Sequence, residues 1–327
     1  MRICIYGSGT IGCFLGAHLA RVPDVTLSMV ARGATLAALR GHGIRLETPA
    51  GLTEVPVEAT DAPATLPPQD VVFITLKAHQ LTDALDGIAP LLGPETAVVP
   101  PTTGIPYWYF HGLPGPHAGR RLLRLDPGGR QWEVLGPERA IGCAFWVGTD
   151  TIGPGAVRQE GAANFPIGEP DGTRSGRLER LHAVMREAGL HAPIREDIRG
   201  EIWTKMINSL VWNPIATLTG ATLGQVAAAP DAVALARRMM AEAEDIAAAV
   251  GARLPVPAEQ RIAWTLALSD HRMSMLQDLE RGRALEYGVL YDSVLEMRAI
   301  AGLATPTIDA VYALLALKAG VAGVTPG

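Results

Sequence analysis

Short apolar runs alternate with helical patterns through the first half of the chain. We predict, in chain order, strand 2–7, helix 10–21, strand 25–32, helix 33–43, strand 70–78 and strand 96–102. Buried strands that alternate with helices are typical of parallel βαβ units with helices on both faces of the sheet. The pattern therefore predicts an α/β domain at the N-terminal end.

A different pattern follows this alternation. The stretch 112–142 is rich in Gly, Pro and Arg, and we predict it to be irregular or hairpin-like. The segments CAFWVGT at 143–149 and GAVRQEG at 155–161 indicate further strands, antiparallel to each other, that extend the sheet. A helix at 174–189 and a short strand at 192–196 complete this part of the chain.

The second half of the chain is helical in pattern. Nearly every residue from Asp197 to Lys318 fits a helical periodicity, including the Ala-rich stretch 231–251. This change places a domain boundary near residue 195, and no flexible linker is evident. We predict an α/β domain over residues 1–195 and an all-α domain over residues 196–327.

One predicted helix, 203–215, carries polar residues among apolar ones. At about 100° per residue, one arc of this helix holds Lys205, Asn208, Ser209, Trp212 and Asn213, whereas the opposite arc is apolar. Two interpretations are open. The polar arc is either a solvated surface, which is common for charged faces, or the lining of a cleft.

Composition narrows the class of protein. Hydrophobic residues make up 48% of the chain, and the net charge is −5 with no long basic run, so nucleic acid is not an expected partner. The three cysteines form no C-x-x-C pair, and the eight histidines show no metal-binding spacing. No apolar run reaches the roughly 20 residues that span a bilayer, and no signal-peptide pattern opens the chain. We expect a cytoplasmic protein without a membrane partner or a metal site.

The segment GSGTIG, residues 7–12, has the pattern G-x-G-x-x-G. It follows the first predicted strand and opens the first predicted helix, which is the context in which this pattern binds a dinucleotide. Its glycines allow a tight turn, close approach of a pyrophosphate to the backbone, and close packing of helix on strand. The free N–H groups at the helix N-terminus favour phosphate. We predict a Rossmann-type dinucleotide-binding domain whose cofactor site includes Gly7, Ser8, Gly9, Thr10, Ile11 and Gly12.

The last residue of the second predicted strand indicates which dinucleotide is bound. A site for NAD usually has Asp or Glu there, which accepts a hydrogen bond from the ribose 2′-hydroxyl. This chain has Arg32, and no acidic residue lies between Asp24 and Glu47. A guanidinium suits a 2′-phosphate. The sequence therefore predicts NADP(H) as the cofactor.

Over nearly its whole length the chain resembles the ketopantoate reductases. The resemblance lies in GSGTIG and Arg32, in TLKAHQ at 75–80, in WTKMINSLVWNP at 203–214 and in SMLQDLERGRALE at 274–286. It implies a Rossmann-type N-terminal domain, an all-helical C-terminal domain and a substrate cleft between them. The implied reaction is hydride transfer from NADPH to the C2 carbonyl of a 2-keto acid, with 2-dehydropantoate as the first candidate.

The resemblance also implies the residues that act on the substrate. Lys205 matches the general acid, and Glu286 matches the carboxylate that supports it and holds substrate. Ser274 matches a residue that holds the substrate carboxylate, and Asn213 one that holds a substrate hydroxyl or carbonyl. Hydride addition to a ketone builds negative charge on oxygen, and an ammonium group can donate a proton as that charge develops. The resemblance therefore favours the cleft interpretation of helix 203–215.

Two positions depart from the family. Where the family usually has Asn four residues after the catalytic lysine, this chain has Ser209, with Asn208 one step earlier. Thr103 stands where the family usually has an Asn that contacts the substrate or the nicotinamide ribose. By resemblance, Lys77 lies near the nicotinamide and Gln80 near a cofactor phosphate. Since both departures fall on polar groups that face the substrate, we expect relaxed or shifted substrate selection.

Three functions stay open. The leading one is an NADPH-dependent reductase of 2-dehydropantoate, and the second is a reductase of another branched or aromatic 2-keto acid on the same machinery. The third is a non-catalytic NADP-binding redox sensor, against which the retention of Lys205 and Glu286 argues. The oligomeric state is open, with a homodimer as one option. The aromatic cluster at 106–110 is a substrate-side lid, a dimer contact or simple packing.

Overall fold

The structure is a computed structural model that describes residues 1–100 and 103–324. It divides into two compact units. The first comprises Met1–Thr102 and Pro106–Ile198, and the second comprises Thr103–Ile105 and Arg199–Gly327. The division falls at Ile198, close to the boundary predicted near residue 195. It also assigns a short segment that follows the last parallel strand to the second unit, which the sequence pattern does not indicate.

The first unit contains both strands and helices. Its strands, in chain order, are β1 (Arg2–Tyr6), β2 (Thr26–Val30), β3 (Ile44–Thr48), β4 (Gly51–Val55), β5 (Glu58–Thr60), β6 (Gln69–Ile74), β7 (Leu92–Val99), β8 (Gly142–Cys143), β9 (Trp146–Gly153), β10 (Ala156–Asn164) and β11 (Ile167–Gly168). Its helices are α1 (Thr10–Leu19), α2 (Gly33–His42), α3 (Leu81–Ile88), α4 (Arg130–Leu135) and α5 (Gly176–Glu187).

A five-stranded parallel sheet confirms the predicted α/β class. Its strand order is β5-β2-β1-β6-β7, and every neighbouring pair is parallel. The chain runs outward from β1 to β5 and then returns to the other side of β1 with β6. The order thus reverses between β1 and β6, and ligands bind open α/β sheets outside the carboxyl ends of the strands at such a point. The last two positions of the predicted strand 96–102 lie outside the described residues.

The strands predicted at 143–149 and 155–161 do not extend this sheet. They correspond to β9 and β10, which pair antiparallel as predicted but belong to a separate sheet of order β4-β3-β10-β9. The separate sheet forms because β10 pairs parallel with β3, with Ala156 opposite Arg45. Both sheets nevertheless share one apolar core with α1, which includes Ile3, Phe14 and Val157.

The strand predicted at 192–196 is wrong, whereas the stretch 112–142, predicted to be irregular or hairpin-like, is mostly irregular. Residues 192–196 form no strand; His191 and Ile194 instead make isolated bridges to Asn164 and Ile167. The stretch 112–142 contains the short helix α4 and two 3₁₀ turns, Pro127–Gly129 and Pro137–Arg139, rather than a hairpin. Helix α4 begins here because the Asp126 carboxylate accepts hydrogen bonds from the backbone N–H groups of Gln131 and Trp132, at 2.8 and 2.9 Å.

The aromatic cluster at 106–110 is buried. Trp108, Tyr109 and Phe110 have no exposed surface, and Tyr107 is 2% exposed. The Tyr107 hydroxyl donates to the carbonyl oxygen of Gly136 at 3.2 Å. Buried aromatic rings contribute large apolar areas to a core, so packing explains this cluster.

The second unit is helical throughout its described part, as predicted. After Thr103–Ile105, its helices are α6 (Ile198–Thr219), α7 (Leu223–Ala227), α8 (Pro230–Ala249), α9 (Ala258–Leu266), α10 (Ser274–Glu280), α11 (Tyr287–Ala301) and α12 (Pro306–Val321). Helix α8 contacts both α11 and α12. No helix between residues 1 and 324, leaving aside the undescribed 101 and 102, is long and apolar enough to cross a membrane.

A carboxylate on α8 fixes the start of α12. Glu242 accepts hydrogen bonds from the backbone N–H groups of Thr307 and Ile308, at 2.8 and 2.9 Å. Those N–H groups have no partner within their own helix, and a negative charge is favourable at a helix N-terminus. The contact therefore joins two helices that are distant in sequence.

Candidate functional site

The G-x-G-x-x-G turn is packed too tightly for side chains at two of its glycines. Gly7 has a φ of +112°, and a Cβ there would lie 3.1 Å from the backbone nitrogen of Leu76. A Cβ on Gly12 would lie 2.0 Å from the carbonyl oxygen of Gly7. That oxygen also accepts a hydrogen bond from the Thr75 hydroxyl at 2.6 Å. These contacts join the turn to the end of β6.

The remaining glycine of the turn, Gly9, has open space beside it. Gly9 precedes the first residue of α1, and a Cβ built on it would meet no atom within 4 Å. No side chain caps this helix end, so its first N–H groups are available to a ligand. A cavity of about 520 Å³ is lined by Ser8 and Gly9. The arrangement fits a phosphate group, which backbone N–H groups at a helix N-terminus bind well.

The other two residues of the turn have structural contacts. The Thr10 hydroxyl shares a hydrogen bond of 2.7 Å with the Thr151 hydroxyl of β9. Ile11 is half-buried against the apolar core. Of the six predicted residues, Gly7, Ser8 and Gly9 line cavities, whereas Thr10, Ile11 and Gly12 shape the turn.

A larger cavity of about 640 Å³ lies at the carboxyl ends of β1, β2 and β6. It brings together Gly7, Ser8, Arg32 and Gln80, four of the residues predicted to bind the cofactor. Arg32 follows Ala31, the first residue after β2, and is exposed, so its guanidinium is accessible to a ligand. The volume is in the range of small-molecule sites. This cavity is the candidate site for the adenosine end of a dinucleotide.

Lys77 is held beside Gln80 but does not line that cavity. The backbone N–H of Lys77 donates to Oε1 of Gln80 at 3.3 Å, and the backbone N–H of Gln80 donates to the Lys77 carbonyl at 2.9 Å. These bonds form a 3₁₀ turn at Ala78–Gln80. Lys77 itself is half-buried.

The polar arc of helix α6 is not a solvated surface. Lys205, Asn208 and Ser209 are half-buried, Asn213 is 5% exposed, and Trp212 has no exposed surface. Trp212 therefore belongs to the core rather than to a polar lining. The indole Nε1 of Trp212 has no hydrogen-bond partner among the described residues.

Two asparagines of this arc already hold neighbouring segments. The Asn208 Oδ1 accepts from the Thr265 hydroxyl of α9 at 2.9 Å. The Asn213 Oδ1 accepts from the backbone N–H of Met275 at 3.3 Å, which fixes the first turn of α10. Ser274 is the first residue of α10 and is exposed. The structure thus connects Asn213 with Ser274, two residues predicted to hold substrate.

Glu286 and Thr103 are connected through helix α11. Glu286 directly precedes the first residue of α11 and is half-buried. Further along α11, the Ser293 hydroxyl accepts from the backbone N–H of Ile105 at 3.0 Å. The loop carrying Thr103 fits closely, because a Cβ on Gly104 would lie 2.7 Å from that hydroxyl. Thr103 therefore belongs to the second unit, whereas the other predicted cofactor residues belong to the first.

Sequence reasoning missed several residues of the larger cavity. Tyr6, Asp61, Asp83 and Gly87 also line it. Asp61 is reached only because β5 pairs with β2, a contact that the local pattern does not reveal. The position of Tyr6, directly before the glycine turn, was an available signal.

The fold and this site define a dinucleotide-binding oxidoreductase. Family models described as ketopantoate reductase PanE/ApbA and as its C-terminal domain match residues 3–105 and 197–319. The chain belongs to the ketopantoate reductase family, which consists of pyridine-nucleotide oxidoreductases.

Individual relatives support this assignment along the full chain. A 2-dehydropantoate 2-reductase from Mesorhizobium japonicum is 46% identical over 315 residues, which cover 96% of this chain and 97% of the relative. A crystal structure from Ralstonia solanacearum MolK2, of a protein assigned to the ketopantoate reductases, is 38% identical with a TM-score of 0.91 and covers 99% of both chains. D-mandelate dehydrogenase with NADH and anilino(oxo)acetate shares the fold, at 19% identity, a TM-score of 0.82, and coverage of 99% of this chain and 100% of that one.

Proposed function

We propose that this protein reduces 2-dehydropantoate to pantoate and that NADPH is the hydride donor. The assignment of the substrate rests on the 46% identity, over nearly the full length of both chains, to a relative named for that reaction. The half-buried Lys205 on α6 and Glu286 at the start of α11 support a catalytic role over a sensing one.

The preference for NADPH rests on Arg32. Its exposed side chain lines the larger cavity at the end of β2, where a ribose 2′-substituent is expected. A guanidinium gains strong hydrogen bonds from a phosphate and little from a hydroxyl. Asp61 also lines this cavity, but Nη2 of Arg40 lies 3.3 Å from its carboxylate and partly offsets its charge.

The chemistry divides simply between cofactor and protein. NADPH, when bound, supplies a hydride to C2 of the keto acid. As the carbonyl π electrons move to oxygen, Lys205 donates a proton from its ammonium group, so the product is an alcohol and Lys205 is reprotonated from solvent. Glu286 orients Lys205, while Asn213 and Ser274 hold the remaining polar groups of the substrate.

Steady-state turnover tests the proposal. NADPH oxidation followed at 340 nm should depend on 2-dehydropantoate, and the product should co-elute with pantoate. Parallel assays with bulkier branched and aromatic 2-keto acids test the alternative substrates, and NADH replaces NADPH to test cofactor choice. If the protein turns over none of these acids but still binds NADPH, the result favours the redox-sensor function instead.

A further inference from the structure

The tyrosine that ends strand β1 has an unusual position for a phenol. Tyr6 directly precedes Gly7, is half-buried and lines the larger cavity together with Arg32. Its hydroxyl has no hydrogen-bond partner among the residues that the structure describes. A half-buried hydroxyl without a protein partner in a ligand cavity is available to a bound molecule.

The position of the hydroxyl is fixed by its contact with helix α3. A Cβ built on Gly87 would lie 2.3 Å from the Tyr6 hydroxyl oxygen but 3.4 Å from the ring carbon that carries it. The same Cβ would lie 3.7 Å from Cγ of Pro63. Since Gly87 and Pro63 also line the cavity, the phenol end lies among its lining residues. Gly87 leaves the space that the hydroxyl occupies.

The charges around the cavity favour a neutral hydrogen-bond donor for binding a phosphate. Among the described lining residues, Arg32 is the one Arg or Lys side chain, and it shares the cavity with the carboxylates of Asp61 and Asp83. Two carboxylates oppose the binding of a phosphate dianion. A phenol hydroxyl can donate to a phosphate oxygen without adding negative charge.

Arg32 and the phenol are close enough to interact electrostatically. Burial raises the pKa of Tyr6, and the positive charge of Arg32 lowers it in part. Because Tyr6 and Arg32 line the same cavity, a phosphate held by Arg32 would share that cavity with the hydroxyl. At neutral pH the phenol keeps its proton, as a donor must.

We propose that the Tyr6 hydroxyl donates a hydrogen bond to the 2′-phosphate of NADPH beside Arg32, and that Tyr6 is therefore a cofactor-specificity residue of this chain. The inference rests on the proposed NADPH preference. It attributes part of that preference to a residue outside the G-x-G-x-x-G turn, which donates a hydrogen bond without carrying a charge. Gly87 then acts as a positioning residue, because it leaves room for the hydroxyl.

Binding titrations of NADPH and NADH test the role of Tyr6. Tyr6→Phe should weaken NADPH about 10-fold or more, the scale of a hydrogen bond to a charged group, and leave NADH within about twofold. Tyr107→Phe is the matched control, because it removes a tyrosine hydroxyl in the same unit whose partner is Gly136. It should leave the NADPH to NADH ratio unchanged.

Gly87→Ala independently tests the role of the Tyr6 hydroxyl oxygen. The new methyl group should displace the hydroxyl and lower NADPH affinity in the Tyr6 background. In Tyr6→Phe the clashing oxygen is gone, so Gly87→Ala should cause little further loss there. A loss of equal size in both backgrounds would contradict the proposed contact.

The two proposals fail in different ways. A wild-type protein that binds NADPH and NADH equally would overturn the NADPH preference and this inference together. If the wild-type protein prefers NADPH, but Tyr6→Phe lowers the affinity for both dinucleotides equally or for neither, this inference alone is overturned. Arg32→Ala combined with Tyr6→Phe should show losses that are not additive, because both groups bind one phosphate.

Discussion

The second and third glycines of the G-x-G-x-x-G turn, Gly9 and Gly12, should respond in opposite ways to the same added methyl group. In Gly12→Ala the new Cβ lies 2.0 Å from the Gly7 carbonyl oxygen and 2.7 Å from the Thr75 hydroxyl, so backbone must move. In Gly9→Ala the Cβ meets no protein atom within 4 Å. The first change therefore acts on the fold, and the second acts on whatever ligand occupies the open space.

Magnitudes follow from these contacts. Overpacking costs about 1–3 kcal/mol, and the upper half applies to Gly12→Ala because a backbone oxygen cannot rotate away. For a unit of this size, each kcal/mol lowers Tm by about 2–4 °C. Gly9→Ala should change stability by less than about 1 kcal/mol, since Ala is only a somewhat poorer residue than Gly before a helix. It should weaken NADPH roughly 10- to 100-fold by blocking charge-assisted bonds to phosphate.

Thermal unfolding without ligand and fluorescence titration of NADPH give the two readouts. Gly41→Ala is the control, because it also adds a methyl group into open space, near the end of α2 and away from the turn. It should leave both Tm and NADPH affinity near the wild-type values. If Gly9→Ala binds NADPH as tightly as Gly41→Ala does, no phosphate lies at this helix end and the cofactor placement is wrong.

Four further changes test the remaining assignments. Arg32→Ala should weaken NADPH by roughly 10- to 100-fold in titrations and leave NADH nearly unchanged, because only a phosphate uses the guanidinium strongly. Lys205→Ala should lower kcat by roughly 10²- to 10⁴-fold, the span for one acid–base group, with NADPH binding close to normal; wild-type turnover would remove Lys205 from the mechanism. Asn213→Asp keeps the acceptor for Met275 but replaces the amide donor with an oxygen, so KM for the keto acid should rise; Tm at neutral pH should fall, because a carboxylate at this buried position loses its hydration. Thr103→Asn with Ser209→Asn should raise kcat/KM for 2-dehydropantoate relative to bulkier 2-keto acids by roughly 5-fold or more, as two added hydrogen bonds imply; an unchanged ratio would show that the two family departures are neutral.

The parallel sheet was predictable because its signals are local. The strands β1, β2, β6 and β7 each contain a short apolar run, and the glycine turn marks the junction of β1 with α1. The edge strand β5 has no such run and was not predicted. The second sheet was not predictable in the same way. It depends on pairing of β3 with β10, which lie more than a hundred residues apart in sequence, and neither strand's own pattern specifies that partner. The antiparallel relation of β9 and β10 was accessible, because these strands are neighbours along the chain.

The candidate cofactor site shows the same limit at the level of single residues. Arg32 could be chosen from its place after β2, and the absence of an acidic residue nearby in sequence supported NADP(H). The structure nevertheless brings Asp61 into the same cavity through the pairing of β5 with β2. The charge near a bound 2′-phosphate therefore depends on residues that follow two strands, β2 and β5. A sequence window around β2 alone contains Arg32 but not Asp61.

The polar residues of α6 show why a polar helical arc does not map directly onto a substrate site. The backbone N–H of Met275 can only donate, so the Asn213 oxygen must face it, and the Asn213 amide nitrogen is the part left for other contacts. The amide nitrogen of Asn213 can then donate, which suits a carbonyl or carboxylate oxygen. The same bond fixes the turn that carries Ser274. The proposed substrate contact and the support of the fold would thus use different atoms of one side chain, and the Met275 N–H decides which atom serves which purpose.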